Sequence, residues 1–226
     1  MWLPMKNKFH VSEVFDSIEG EGKRTGYMSI FVRLTGCNLR CSYCDTKYAQ
    51  IMGQEDTEMT EEELVEKIKS YPWKKVTLTG GEPLLHNVDS LVSTLSKENY
   101  EVNIETNGAV PLLENRYNNV FYTMDWKCPS SGENGRMLYD NLRKLDRKDV
   151  LKFVVGNKDD LEEMRKIAEN KDYAYWWVRP LIYVSPVFGE IEPVEIVEYL
   201  KEHKLKGVCM QVQLHKIIWS PDKRGV

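Results

Sequence analysis

The chain has 226 residues, 42% of them hydrophobic and 29% charged, with a formal net charge of −4. That balance suits one soluble globular domain over 1–226 and disfavours a nucleic-acid footprint, which needs a basic face. No apolar run is long enough to cross a bilayer, residues 1–8 read as a flexible extension without the apolar centre of a signal peptide, and five cysteines do not make a secreted disulfide framework; the expectation is a cytoplasmic protein with no membrane partner.

A first, peripheral strand is predicted over Phe9–Phe15, followed by the glycine-rich loop Ser17-Ile-Glu-Gly-Glu-Gly-Lys-Arg-Thr-Gly26. Met28–Thr35 reads as a buried strand. Thr60 with Glu63 forms a capping box that opens a helix with Leu64, Val65 and Ile68 on one face. Strands are then expected at Lys75–Thr79, Glu101–Glu105, Val120–Asp125, Val150–Val155, Tyr173–Val178 and Gly207–Gln213. Helices are expected at Asp89–Asn99, Pro111–Arg116 (a short one), Met137–Leu145, Lys158–Asn170 and from Pro193 to about His203. The alternation predicts an α/β fold of parallel strands with about six βα units, short of the eight that close a barrel. An incomplete barrel and an open doubly wound sheet both satisfy it.

The chemistry-bearing residues gather at the predicted strand ends. Cys37-Asn-Leu-Arg-Cys41-Ser-Tyr-Cys44 follows the Met28–Thr35 strand, and Thr79-Gly-Gly-Glu-Pro83 follows the next. Glu105-Thr-Asn-Gly108, Asp125-Trp-Lys-Cys-Pro-Ser-Ser-Gly132 and Gln213-Leu-His-Lys216 end three others. The carboxyl ends of parallel strands carry the active sites of α/β folds. Three thiolates spaced by three and then two residues can share one metal centre and leave a coordination position open, as in a four-iron, four-sulfur cluster. A structural zinc knot with a fourth ligand from elsewhere is the alternative. Cys128 and Cys209 read as ordinary thiols, and Trp176-Trp177 as core or dimer contact.

The C-x3-C-x2-C loop with Gly80-Gly81-Glu82-Pro83 resembles the radical S-adenosylmethionine (SAM) superfamily. The resemblance narrows with Ser17-Ile-Glu-Gly-Glu-Gly22, Phe31-Val-Arg-Leu-Thr-Gly-Cys37, Cys44-Asp-Thr46, Glu105-Thr-Asn-Gly108, Lys127-Cys-Pro-Ser-Ser-Gly132 and Gln213-Leu-His-Lys216. Together these are similar to the 7-carboxy-7-deazaguanine synthase family, over about Phe9 to Pro221. The resemblance implies an abbreviated barrel and a homodimer that uses SAM, one 4Fe–4S cluster and Mg2+. It implies ring contraction of 6-carboxy-5,6,7,8-tetrahydropterin to 7-carboxy-7-deazaguanine with release of ammonia, on the queuosine route. An external electron donor of the flavodoxin or ferredoxin type would reduce the cluster.

By position match the resemblance gives Cys37, Cys41 and Cys44 to the cluster and Thr46 to Mg2+. It gives Ile18, Glu19, Gly20, Glu21, Lys23, Arg33, Thr79, Glu105, His215 and Pro221 to the pterin. It gives Tyr43, Cys44, Asp45, Gly81, Glu82, Asp125, Lys127 and Ser185 to SAM. Arg33, on a buried strand, needs an anion: a substrate carboxylate or an internal partner such as Glu13. Three positions depart from the family pattern: Glu19 where Gln is frequent, Asp125 where Ser is, and Trp126 where Pro is. A glycyl-radical-enzyme activase shares the cysteine spacing and is the second enzyme reading. A zinc-stabilised binding module is the reading from another class.

Overall fold

The computed structural model of the protein describes residues 7–170, 179–220 and 223–226. The expected strand Tyr173–Val178, the Trp176-Trp177 pair and Pro221 lie outside the described residues. Among the described residues nine strands form one sheet: β1 (Lys8–Ile18), β2 (Met28–Leu34), β3 (Thr57–Thr60), β4 (Lys75–Gly80), β5 (Glu101–Thr106), β6 (Val120–Trp126), β7 (Val150–Val155), β8 (Leu181–Pro186) and β9 (Val208–Met210). Their order is β3-β1-β2-β4-β5-β6-β7-β8-β9. β2 and β4 to β9 run parallel, while β1 is antiparallel to β2 and to β3. β3 and β9 end the sheet and do not pair with each other, so the barrel is open and incomplete.

The helices are α1 (Glu61–Lys69), α2 (Asp89–Lys97), α3 (Tyr139–Lys144), α4 (Lys158–Glu169), α5 (Pro193–Glu202) and α6 (Leu214–Ile218). α1 begins with the expected capping box of Thr60 and Glu63. Side chains alternate across a strand, and here alternation separates two chemistries. Val32, Leu34, Val76, Leu78, Val102, Ile104, Met124, Trp126, Phe153 and Val155 are almost fully buried in one apolar core. Leu64 and Ile68 of α1, Leu91 and Leu95 of α2, and Leu161 and Met164 of α4 belong to the same core. The intervening positions carry Ser29, Arg33, Thr77, Thr79, Asn103, Glu105, Thr123, Asp125 and Lys152. These link across strands, as in Thr79–Glu105 and Thr123–Asn103 at 2.8 and 2.9 Å. The Glu19–Gly26 loop covers this polar, concave side, bonding Thr77 through Glu19 and Lys152 through Glu21.

Several elements differ from the sequence expectation. β1 is longer than Phe9–Phe15 and is not the edge, because β3 pairs outside it. β3 is four residues of Thr-Glu-Met-Thr, too polar and short to announce itself. Pro111–Arg116 is not helical: Leu112 N–H donates to Asn141 Oδ1 and Leu113 N–H to the Tyr122 hydroxyl, so side chains satisfy the backbone there. β8, bracketed by Pro180 and Pro186, escapes the sequence reading; it pairs with β7 from Val150↔Leu181 onward. The last strand stops at Met210, and Gln213 caps α6, so His215 lies on a short helix and not at a strand end.

Candidate active site

The cysteine loop leaves the carboxyl end of β2 between two anchors. On one side Gly36 N–H bonds Ala49 O, Cys37 N–H bonds Gln50 O, and Gly81 and Glu82 N–H bond Leu34 O and Gly36 O. Gly80 has φ of 141°, and a Cβ on either glycine would collide with the Leu34 or Gly36 backbone. Only glycine permits that approach. The close neighbour of Gly81, which the resemblance gives to SAM, is the backbone of Gly36 and Ala49. On the other side Ser42 bonds Ser130 O and Ser131 O at 2.7 and 3.1 Å. Two strand-end loops therefore hold the three cysteines in place.

Cys37, Cys41 and Cys44 are free thiols of intermediate exposure. Leu39 N–H and Asn107 Nδ2 approach Cys37 Sγ at 3.4 and 3.7 Å, and Thr46 Oγ1 lies 3.8 Å from Cys44 Sγ. Burial pushes the Cys41 thiol up to about 11 and raises that of Cys37. A bound cation reverses such a shift, because thiolate is the ligand form. Three free thiols on one anchored loop fit a cluster that takes three protein ligands. Among the described residues no group of three or more His, Cys, Asp or Glu closes round a single metal ion. A four-iron cluster, wider than one ion, needs no such convergence.

Glu82, among the SAM candidates, has partners within the protein. Its side chain is buried, and its carboxylate accepts from Asn107 N–H (2.6 Å), Leu84 N–H (3.0 Å) and Thr106 Oγ1 (2.9 Å). It fastens the Gly-Gly-Glu-Pro turn to the Glu-Thr-Asn-Gly turn. Burial pushes its carboxyl up to about 7 against those three donors. Asp45 is largely exposed and paired with Lys216 at 3.5 Å. Tyr43 reaches Val154 O at 3.5 Å, with the Lys127 ammonium 5.8 Å from its ring centre. Lys127 pairs with Asp125 Oδ2 at 3.0 Å; among the described residues Asp125 Oδ1 is buried with no hydrogen-bond partner. Buried Ser185 donates to Glu21 Oε1 at 2.7 Å.

The pterin candidates divide into two groups. Arg33, Thr79, Glu105, Glu21, Gly20 and His215 sit toward the carboxyl-end rim of the concave face. Arg33 and Thr79 are register partners, and Thr79 donates to Glu105. Arg33 Nε bonds Glu13 at 2.7 Å, the internal partner weighed from sequence; among the described residues its terminal nitrogens make no hydrogen bond. His215 packs so closely on Gly20 that a Cβ there would strike its ring, and burial lowers its pKa. Ile18 ends β1 just before that loop. Glu19 and Lys23 have other partners within the protein. Glu19 is buried against Arg24 and Thr77, and burial raises its carboxyl. Lys23 donates to Lys148 O at 2.6 Å, before the start of β7, with its ammonium 3.4 Å from the Phe121 ring centre. Both serve the floor of the concave side, at the amino ends of the strands.

Sequence reasoning missed Lys152 and Arg24. Arg24 braces the floor through Glu19, Thr77 and Glu101. Lys152 pairs with both Glu21 and Asp125, at 3.1 and 3.5 Å. The signal was present: one lysine inside Val150-Leu-Lys-Phe-Val-Val155 has to find partners in the fold.

An incomplete barrel with three anchored thiols at its rim is the architecture of the radical SAM superfamily, whose family model matches residues 31–122. A 7-carboxy-7-deazaguanine synthase of Clostridium acetobutylicum is 45% identical over 222 residues, covering 96% of this chain and 99% of that protein. One from Koribacter versatilis is 35% identical over 96% of this chain and 99% of its own. One from Hyperthermus butylicus is 52% identical over 85% of this chain and 82% of its own. The crystal structure of QueE from Escherichia coli superposes with a TM-score of 0.75 at 23% identity, covering 92% of this chain and 95% of that one. The chain belongs to the 7-carboxy-7-deazaguanine synthase family.

Proposed function

We propose that the protein is a radical SAM carbon–nitrogen lyase. It contracts the ring of 6-carboxy-5,6,7,8-tetrahydropterin to 7-carboxy-7-deazaguanine and releases ammonia. The observation that carries this is three free thiols fixed at the open rim of a polar concave face, in a chain related over nearly its whole length to synthases of that name. Cys37, Cys41 and Cys44 would hold a 4Fe–4S cluster with one iron left for SAM. When bound, the cluster and SAM would supply the radical chemistry for hydrogen-atom abstraction from the substrate.

The chain's own residues position and enclose. Asp125, with one carboxylate oxygen unpartnered, and Lys127 offer an acceptor and a cation beside the cysteine loop. Arg33, whose terminal nitrogens make no hydrogen bond among the described residues, would pair a substrate carboxylate in a bidentate geometry. Thr79 and Glu105 line the same rim, where Glu105 would accept from the amino edge of the heterocycle. His215 and the Glu19–Gly26 loop shield the opposite side from water, which strengthens every polar contact inside. Thr46, beside Cys44, is the proposed Mg2+ ligand, with further sites left to water and substrate oxygens. A flavodoxin- or ferredoxin-type donor, a homodimer, a cytoplasmic setting and a place in queuosine biosynthesis belong to the same proposal.

The test is anaerobic reconstitution with iron and sulfide, followed by reduction and addition of SAM, Mg2+ and the carboxypterin. The deazaguanine and ammonia should appear together. A colourless protein that binds only zinc would refute the enzyme reading. SAM cleavage without the deazaguanine would refute the substrate.

A further inference from the structure

Lys152 stands between the two halves of the site. It is the register partner of Asp125 across β6 and β7, and its side chain is 12% exposed. Its ammonium lies 3.1 Å from Glu21 Oε2 and 3.5 Å from Asp125 Oδ2. Ser185 and Gln213 hold Glu21 from its other side, at 2.7 and 3.4 Å. Lys127 holds Asp125 at 3.0 Å. A continuous chain therefore runs Gln213–Glu21–Lys152–Asp125–Lys127, from α6 beside His215 to the strand end beside the cysteine loop. Burial works against the Lys152 ammonium, but Glu21, Asp125 and Glu105 outweigh it and keep it protonated.

A lysine stem is ordinarily mobile. Here the ammonium is fixed because either carboxylate, withdrawn, would leave an uncompensated buried charge. Whatever orders Asp125 thereby orders Glu21, and the reverse. Such mutual ordering is a coupling free energy between two ligands.

We propose that Lys152 is the positioning residue that couples SAM binding beside Asp125 to carboxypterin binding beside Glu21. This rests on the function proposed above. Its part in this proposal is played through the two carboxylates it joins.

The test measures equilibrium affinity of the reconstituted holoenzyme for SAM and for the carboxypterin, each with and without the other. In the native protein each ligand should tighten the other by a factor within about 5–150-fold. Lys152→Gln removes the charge and should bring that factor to about one. Lys152→Arg should restore most of it. Arg116→Met, which breaks the Arg116–Asp149 pair at the amino ends of the strands, should lower Tm and leave the factor unchanged. A variant-free measurement backs these: SAM alone should slow amide exchange in the Glu19–Gly26 loop. The proposal is overturned if Lys152→Gln keeps the native factor, if the native protein shows no coupling, or if SAM leaves exchange in that loop unchanged. Coupling without deazaguanine formation would count against the proposed reaction only; deazaguanine formation without coupling would count against Lys152 only.

Discussion

The two faces of the sheet use the same strands for opposite ends. On the core side, residues such as Val32, Leu78, Ile104 and Phe153 exclude water and are interchangeable with other apolar groups of similar volume. On the concave side, Arg33, Thr79, Glu105, Asp125 and Lys152 each have a named partner, and removing one strands another. The first face makes the barrel; the second, capped by the cysteine loop, is the proposed reactive side. A substitution on the core side should cost stability and spare ligand recognition, whereas one on the concave side should impair ligand recognition whatever it costs in stability.

The largest effect is expected at the rim. Cys41→Ala should abolish cluster assembly and turnover, read as iron and sulfide content after reconstitution; full iron content would refute the ligand assignment. On the core side, Phe153→Ala should cost about 3–5 kcal/mol in denaturant unfolding. SAM and carboxypterin affinities of the fraction still folded should stay close to native, and loss of both affinities in step with stability would break the distinction between faces. On the concave side, Arg33→Ala removes a charged fork worth about 1.5–3 kcal/mol. It should raise the KM for carboxypterin about tenfold or more while kcat changes less. An unchanged KM would remove Arg33 from the substrate site and leave it only as the partner of Glu13.

The smallest effect concerns Glu82, which bridges the two kinds of environment. Burial raises its carboxyl from the ordinary 4.5 to about 7, so the folded protein holds this proton more tightly than the unfolded chain. Its contribution to stability is therefore full below about 4.5 and declines as pH rises through 7. Glu82→Gln should flatten that slope, read as the difference in Tm of the cluster-free protein between pH 5 and pH 8, by a few degrees. An identical slope in both proteins would show that the carboxyl does not titrate in this window.

How much was legible follows from the same two faces. Long apolar strands and amphipathic helices announced themselves through periodicity, and β2, β4, β5, β6 and β7 lie close to where the pattern places them. β3 and β8 did not, because a four-residue polar edge and a Pro-bounded strand carry too little pattern. The cysteine loop was legible because three thiols in eight residues have few uses. Individual roles were less so. For Glu82 and Glu19 the sequence showed no internal partners, and the structure supplies them: two turns for the one, Arg24 and Thr77 for the other. Lys152 was overlooked because a single lysine in a strand reads as an interruption until its two carboxylate partners are seen across the fold.

The most direct test of the central claim, that this concave face and its cysteine rim form one radical site, is a turnover with carboxypterin deuterated at its non-exchangeable positions. Mass spectrometry of the quenched reaction should find deuterium in 5′-deoxyadenosine together with 7-carboxy-7-deazaguanine. Unlabelled 5′-deoxyadenosine, formed with no deazaguanine, would contradict it.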